Sequence, residues 1–402
     1  MSATPAVRHA DNGWSVFKVF LRLGLTSFGG PIAHLGYFRN EFVNRRQWLS
    51  ERSFADLVAL CQFLPGPSSS QVGIALGLSR AGYRGALAAW AGFTLPSAIL
   101  LILFALGITR WGELLPAGLL HGLKVVAVAV VAQAVWGMAR SFCTDLPRIA
   151  IMALATGILL AWPTALGQVG VILGAGVLGL LLFKPSRDGE HEPLPITVGH
   201  GAGLLLLGLF FALLLGLPLL AQLWPSQTLQ LIDAFYRAGS LVFGGGHVVL
   251  PLLQSEVVNT GWVSNEAFLA GYGATQAVPG PLFTFSAFLG ASMNSAPSGW
   301  LGGLLCLLVV FTPSFLLVIG VLPFWERLRG SLRTQAALIG VNAAVVGLLL
   351  AALYRPVWTS AILTFGDFAL ALLALVALMR WKLPPWLVVL GCGLGGWGLS
   401  LL

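Results

Sequence analysis

FLRLGLTSFGGP at residues 20–31 and FYRAGSLVFGGG at residues 235–246 are two versions of one segment. Phe20, Arg22, Gly24 and Phe28-Gly29-Gly30 pair with Phe235, Arg237, Gly239 and Phe243-Gly244-Gly245 at a constant offset of 215. Glu41 and Asn44 pair with Glu256 and Asn259 at the same offset. One deleted residue later the offset is 214, and Trp48, Ser50, Phe54, Gln62 and Pro65-Gly66-Pro67 meet Trp262, Ser264, Phe268, Gln276 and Pro279-Gly280-Pro281. Chance apolar similarity does not preserve an Arg, a Glu, a Gln and a Pro-Gly-Pro in order, so the chain is an internal duplication.

The copies carry opposite charge bias. Loops 39–52 and 80–84 hold Arg39, Arg45, Arg46, Arg52, Arg80 and Arg84, whereas their counterparts 254–266 and 294–300 hold Glu256 and Glu266 and no Lys or Arg. The next loop reverses this: 109–116 has only Arg110, and its partner 326–333 has Arg327, Arg329 and Arg333. Lys and Arg mark cytoplasmic loops, so the halves are expected upside down relative to each other, as in many secondary transporters. Loops 39–52, 80–84 and 326–333 are then cytoplasmic.

The surroundings of the repeat are those of a membrane protein. Only 9% of the residues are charged and 57% are hydrophobic, too little charge to cover a soluble domain. Uncharged runs such as 149–183, 201–232 and 267–325 give room for helices of about 20 residues. The expected fold is an all-α polytopic membrane protein of two inverted-topology repeats, each with Gly/Pro-broken, re-entrant helices plus transmembrane helices. Segments 14–44 and 53–79 are the re-entrant pair of the first half, since 27 residues (53–79) are too few for two crossings at about 1.5 Å per residue. Full spans are expected at 86–108, 117–139, 149–165, 167–183, 201–223, 301–323, 335–353, 357–379 and 385–402. The parts are a polar segment 1–13, a first repeat 14–183, a charged linker with a connecting span 184–230, and a second repeat 231–402. Segment 1–13 shows no small-residue cleavage site after an apolar core, so no removable signal peptide is expected.

The net charge of +8 is spread between apolar runs, the pattern of membrane loops rather than of a nucleic-acid surface. Cys61, Cys143, Cys306 and Cys392 are far apart without a CxxC pair and read as small buried residues. The six histidines have no metal-binding spacing, and no cofactor or metal is expected. Nor does any catalytic cluster suggest an enzyme.

The chemistry is expected at four breaks: Gly29-Gly30-Pro31, Gly244-Gly245-Gly246, Pro65-Gly66-Pro67 and Pro279-Gly280-Pro281. Backbone that leaves the helix inside a membrane must be buried in protein or line a watery cavity. Gly permits the turn and Pro suits the first helical turn, so each break launches a half-helix whose free N–H groups favour an anion. Tight packing kinks are the alternative reading. Ser68, Ser69 and Ser70 follow the first Pro-Gly-Pro and make it the stronger site, because Leu282, Phe283 and Thr284 follow the second. Arg22 and Arg237 lie in apolar context, where an Arg is costly and its planar fork suits an oxyanion; an ion pair with Glu41 or Glu256, or snorkelling, is the alternative. Lys124 is a further intramembrane cation, replaced by Asn342 in the second half. Gln62 and Gln276 can donate to substrate or satisfy broken backbone. Glu41 and Glu256, with His34 and His247, are candidates for proton coupling, against boundary roles for the acids and packing roles for the histidines.

The pair SFGGPIAHLGYFRNEFVNRRQWLSERSFADLVALCQFLPGPSSSQVG (27–73) and VFGGGHVVLPLLQSEVVNTGWVSNEAFLAGYGATQAVPGPLFTFSAFLG (242–290) resembles the chromate ion transporter family in its duplicated form. The resemblance covers both halves. It implies a bacterial inner-membrane protein that exports chromate, confers chromate resistance and draws on the proton gradient; some members are linked to sulfate. One departure is Gly246 where the first half has Pro31. The expected function is a secondary transporter for chromate, with a sulfate or other oxyanion carrier as runner-up and an anion channel or membrane enzyme as readings of another class. Expected partners are the oxyanion and the lipid bilayer, with no nucleic acid, and a homodimer is compatible with this reading.

Overall fold

The computed structural model describes residues 12–111, 116–185 and 198–401. Most of the polar segment 1–13 and residues 186–197 of the charged linker therefore lie outside the described residues. The first half contains α1 (Gly13–Thr26), α2 (Gly30–Arg39), a π-helical turn (Asn40–Arg45), α3 (Glu51–Phe63), α4 (Ser68–Trp111), α5 (Ala117–Phe142), α6 (Leu146–Ala161) and α7 (Ala165–Leu182). The connecting helix α8 is His200–Leu223. The second half contains α9 (Gln227–Leu241), α10 (Val249–Val257), α11 (Asn265–Thr275), α12 (Phe285–Ala291), α13 (Gly299–Val321), α14 (Trp325–Arg329), α15 (Leu332–Ala352), α16 (Thr359–Ala361), α17 (Phe365–Met379) and α18 (Pro385–Leu399). Among the described residues there is no strand, and six helices are long and apolar enough to cross a membrane.

The short broken helices close into hairpins. The α4 backbone leaves the helix at Ala81 and Gly82, which splits it into arms 68–80 and 83–111. The Arg80 guanidinium after the first arm stacks over Trp48, which precedes α3, at 5.0 Å, and Arg46 lies over the same ring at 5.8 Å. Segment 51–80 thus returns to the end it left. Gly13 at the start of α1 rests on the Arg84 backbone, and Arg39 at the end of α2 pairs with Glu51 at 2.6 Å, so 13–45 is a second hairpin at the same end. The other half repeats the closure with neutral groups. The Asn294 N–H donates to the Trp262 carbonyl at 3.0 Å, and the Gln227 and Ser295 side chains bond at 2.8 Å. Both pairs are hairpins whose ends return together, the shape that a re-entrant reading of 14–44 and 53–79 requires.

Aromatic packing fixes the hairpins internally. Phe20 lies 5.7 Å from Phe38 and 5.1 Å from Phe42, and Phe42 stacks on Trp48 at 4.8 Å. In the second half Phe285 meets Phe268 at 5.0 Å and Tyr272 at 5.6 Å. Such ring pairs stabilise beyond the area they bury.

The remaining helices exchange between halves. α5 packs on α17 and α18, while α15 packs on α6 and α7. The contacts are backbone-close: a Cβ at Gly122 would run into the Cys392 carbonyl, and one at Gly340 into the Ala175 carbonyl. Small residues at crossings let membrane helices approach closely. Replacing Gly122 with Val should therefore cost about 1–3 kcal/mol of overpacking. It is expected to lower the melting temperature of the detergent-solubilised protein by several degrees, whereas Gly137→Val, with open space beside it, should leave it unchanged.

Two expected spans are corrected. Span 149–165 ends at Ala161, because Thr164 caps a new helix by accepting from the Gly167 N–H. Span 357–379 is interrupted. The chain makes a π-helical turn at Leu353–Trp358 and the single turn α16, and α17 then restarts at Phe365. The cause is a capping box, in which Thr364 accepts from the Asp367 N–H and the Asp367 carboxylate accepts from the Thr364 N–H. That local signal outweighs the apolar run around it.

Exposed apolar side chains mark the lipid face. Leu166, Leu204, Leu205, Leu301 and Phe365 are exposed, and α8 is open along most of its length, whereas α13 and α15 are mostly buried.

Candidate functional site

Each hairpin turns at one of the four Gly/Pro breaks, so the breaks are hairpin tips. Gly29 (φ +99°) and Gly30 (φ +75°) turn the first, and Gly66 (φ +123°) turns the second. Gly244 (φ +75°), Gly245 (φ +134°) and Gly280 (φ +106°) turn their counterparts. These are left-handed conformations that glycine adopts without steric cost.

The tips of one half bond to the tips of the other. The Gly66 N–H donates to the Val242 carbonyl at 2.7 Å, and the Gly280 N–H donates to the Ser27 carbonyl at 3.0 Å. Gly66 and Gly280 correspond in the repeat, as do Ser27 and Val242, so the two bonds are one bond repeated by pseudo-two-fold symmetry. The remaining two tips also meet. Gly246 rests near Pro31, and the His247 ring lies beside Gly30.

Buried polar groups without partners collect around this junction. They include the Ser27, Ser70 and Ser314 hydroxyls, His34 Nε2, Gln71 Oε1 and Gln276 Nε2. A buried unpaired polar group costs about 1–3 kcal/mol, so such a set marks a place built to meet a ligand or water. His34 is 1% exposed, and its Nδ1 lies 3.3 Å from the Ser69 hydroxyl. Gln71 donates to the Pro65 carbonyl at 2.7 Å, and His247 Nδ1 meets the Tyr272 hydroxyl at 2.8 Å. The first intrahelical bond of α4 runs from the Gln71 N–H to the Pro67 carbonyl, and Ser68, Ser69 and Ser70 form its buried first turn.

The two arginines have different surroundings. Arg237 is half-buried and pairs with both Asp233 and Glu256 at 3.1 Å, tying α9 to α10. Arg22 is exposed on α1 and has no ion pair to a described residue. The reason lies in the neighbours of the conserved-spacing Glu. Arg46 and Arg45 bond Glu41 at 2.6 and 3.1 Å, whereas the matching positions 260 and 261 are Thr and Gly, which leaves Glu256 to Arg237. Glu41 lies in the basic stretch 39–52, outside the candidate spans. Burial pushes its carboxyl up, but hydrogen bonds from Arg46 and Arg45 outweigh this and hold it below its ordinary range. Gln62 is exposed, while Gln276 is half-buried at the junction. Lys124 is half-buried on α5, and its counterpart Asn342 lies beside Gly244. Among the described residues no group of three His, Cys, Asp or Glu side chains could hold a metal.

The comparisons with known proteins match both halves separately. The family model described as chromate transporter covers residues 14–180 and again 229–397. The chain belongs to the chromate transporter family. Its relatives in that family include a chromate transport protein of Pseudomonas aeruginosa, 30% identical, with 95% of this chain and 91% of that protein covered. A probable chromate transport protein of Synechococcus elongatus is 27% identical, with 98% of each chain covered. An uncharacterized transporter of Bacillus subtilis is 29% identical over 42% of this chain and 95% of its own length, about one repeat. No solved structure matches significantly. The chromate transporter family consists of transport proteins rather than enzymes, and this member is a multi-pass membrane protein.

Two residues beside the tips, Ser97 and Ser314, and the Arg237 partner Asp233 carry no mark in the FGG and Pro-Gly-Pro motifs. The serines had a signal, since Pro96-Ser97 and Pro313-Ser314 recur at an offset of 217. Asp233 lies four residues before Arg237, the spacing of a helical ion pair, but Lys18 holds the equivalent position in the first half.

Proposed function

We propose that the chain is a secondary carrier that exports chromate across the bacterial inner membrane by exposing the tip junction alternately to each side. The reciprocal meeting of four hairpin tips around unpartnered hydroxyl, amide and imidazole groups carries this reading. Tetrahedral dianions need several converging donors, and helix N-termini with hydroxyls supply them without binding too tightly for release. The substrate groups are the four breaks, Ser68 to Ser70, Gln62, Gln276, Arg22 and Arg237. Loops 39–52, 80–84 and 326–333 face the cytoplasm in this arrangement, following the charge bias. Chromate resistance follows from export. Proton coupling falls to Glu256 with His34 and His247, because Glu41 is held ionised by its two arginines.

The same donors suit sulfate, which is the second reading. Purified protein in proteoliposomes, supplied with labelled chromate or sulfate with and without a pH gradient, tests both. Chromate is expected to leave faster when protons run inward in exchange for it; movement of neither anion would sink the proposal. Currents far above carrier turnover in a bilayer recording would mean a channel instead.

A further inference from the structure

We infer that Ser314, contributed by the second half, is a substrate-binding residue of the first Pro-Gly-Pro break, and that the chain holds one oxyanion rather than two. The inference rests on the reading of the tip junction as an oxyanion site. Ser314 follows Pro313 in α13 and is fully buried, yet its hydroxyl has no partner. It faces Gly66: a Cβ added there would lie 2.8 Å from Ser314 Oγ and 2.6 Å from Gln71 Nε2. The N-terminus of α4 begins two residues later, with the Ser70 hydroxyl and Gln71 Oε1 also unpartnered. An anion over the α4 N-terminus would accept from the free amides of that first turn, with the Ser314 hydroxyl arriving from the opposite half.

At the second break the hydroxyls that match Ser314 and Ser70 are committed. Ser97 stands beside Gly280 as Ser314 stands beside Gly66, but its hydroxyl donates to the Thr94 carbonyl at 3.1 Å. Thr284, which matches Ser70, donates to the Pro281 carbonyl at 2.7 Å, and Leu282 and Phe283 replace Ser68 and Ser69. Among the described residues the Gln276 amide and the Ser27 and Thr94 hydroxyls stay unpartnered near it, but none of these is the counterpart of Ser314, Ser68, Ser69 or Ser70. The duplication supplies two similar tips, but at the second the hydroxyls that match Ser314 and Ser70 are bonded to their own helices and two serines are replaced by Leu282 and Phe283, so an anion finds its fuller set of donors at the first.

Equilibrium binding of labelled chromate to the purified full-length protein tests this, with transport kinetics in proteoliposomes beside it. Wild type is expected to bind one anion per chain. Ser314→Ala should weaken binding roughly tenfold or more, as for a lost hydrogen bond to a charged group, and raise KM with little change in kcat. Ser314→Thr should restore most of the affinity, and Ser97→Ala should bind within about twofold of wild type. Wild-type affinity in Ser314→Ala, an equal loss in Ser97→Ala, or two anions per chain would overturn the inference while leaving oxyanion transport standing. A folded wild-type protein that binds and moves neither chromate nor sulfate would instead remove the transport reading itself.

Discussion

Arg237→Gln is expected to lose most of its folded, monodisperse yield, and Arg22→Gln is expected to keep it. Arg237 faces Asp233 and Glu256, both at 3.1 Å and neither freely solvated. Removing the cation leaves two carboxylates in an apolar setting. Breaking a buried pair in this way costs about 3–5 kcal/mol, far more than the intact pair contributes. The companion experiment removes the stranded charge: Arg237→Gln combined with Asp233→Asn and Glu256→Gln should recover yield, measured by size-exclusion chromatography in detergent. Recovered yield without recovered transport would assign Arg237 to function as well as to structure. Equal losses in the Arg22 and Arg237 variants would contradict the asymmetry between the halves.

Gly66→Ala should reduce transport to less than about a tenth of wild type, because two effects add there. Its φ of +123° is disfavoured for any residue with a side chain, and the new Cβ would press on Gln71 and Ser314. The displaced tip would also strain the Gly66–Val242 bond. Gly82→Ala is the control. It too has positive φ, +61°, but nothing lies within 4 Å of the added carbon, so it carries the backbone penalty without the crowding. Its uptake should stay above about half of wild type, since its glycine-favouring conformation (φ +61°, ψ −153°) costs about 1–3 kcal/mol at an exposed turn away from the tips. Similar uptake in the two variants would mean that the first tip is merely a bend.

Much of this architecture was legible because duplication doubles every signal. The FGG and Pro-Gly-Pro pairs located four tips, and the opposite Arg content of 39–52 and 254–266 is the basis for proposing that the halves insert from opposite ends. Segment 53–79 was too short for two crossings, and Trp48 with Arg80 shows the return. The exchange of α5 and α15 between halves was not legible, since it depends on which carbonyl a glycine such as Gly122 or Gly340 meets. The partners of the arginines were also hidden. Arg22 and Arg237 look equivalent in the repeat, and only the residues following Glu41 and Glu256 separate them. Ser314 escaped for a related reason, as its importance comes from the opposite half's Gly66 rather than from its own surroundings.

The paired tip bonds have a consequence for leakage. Each joins an amide of one half to a carbonyl of the other, and an unmade backbone bond in a dry interior costs several kcal/mol. Parting one tip leaves the other bond, Gly66–Val242 or Gly280–Ser27, still closed. The junction therefore has two separate closures between the halves rather than one. If the junction is the transport site, two separate closures would let it open toward one side while the other stays sealed, which a carrier needs if it is not to short-circuit the membrane.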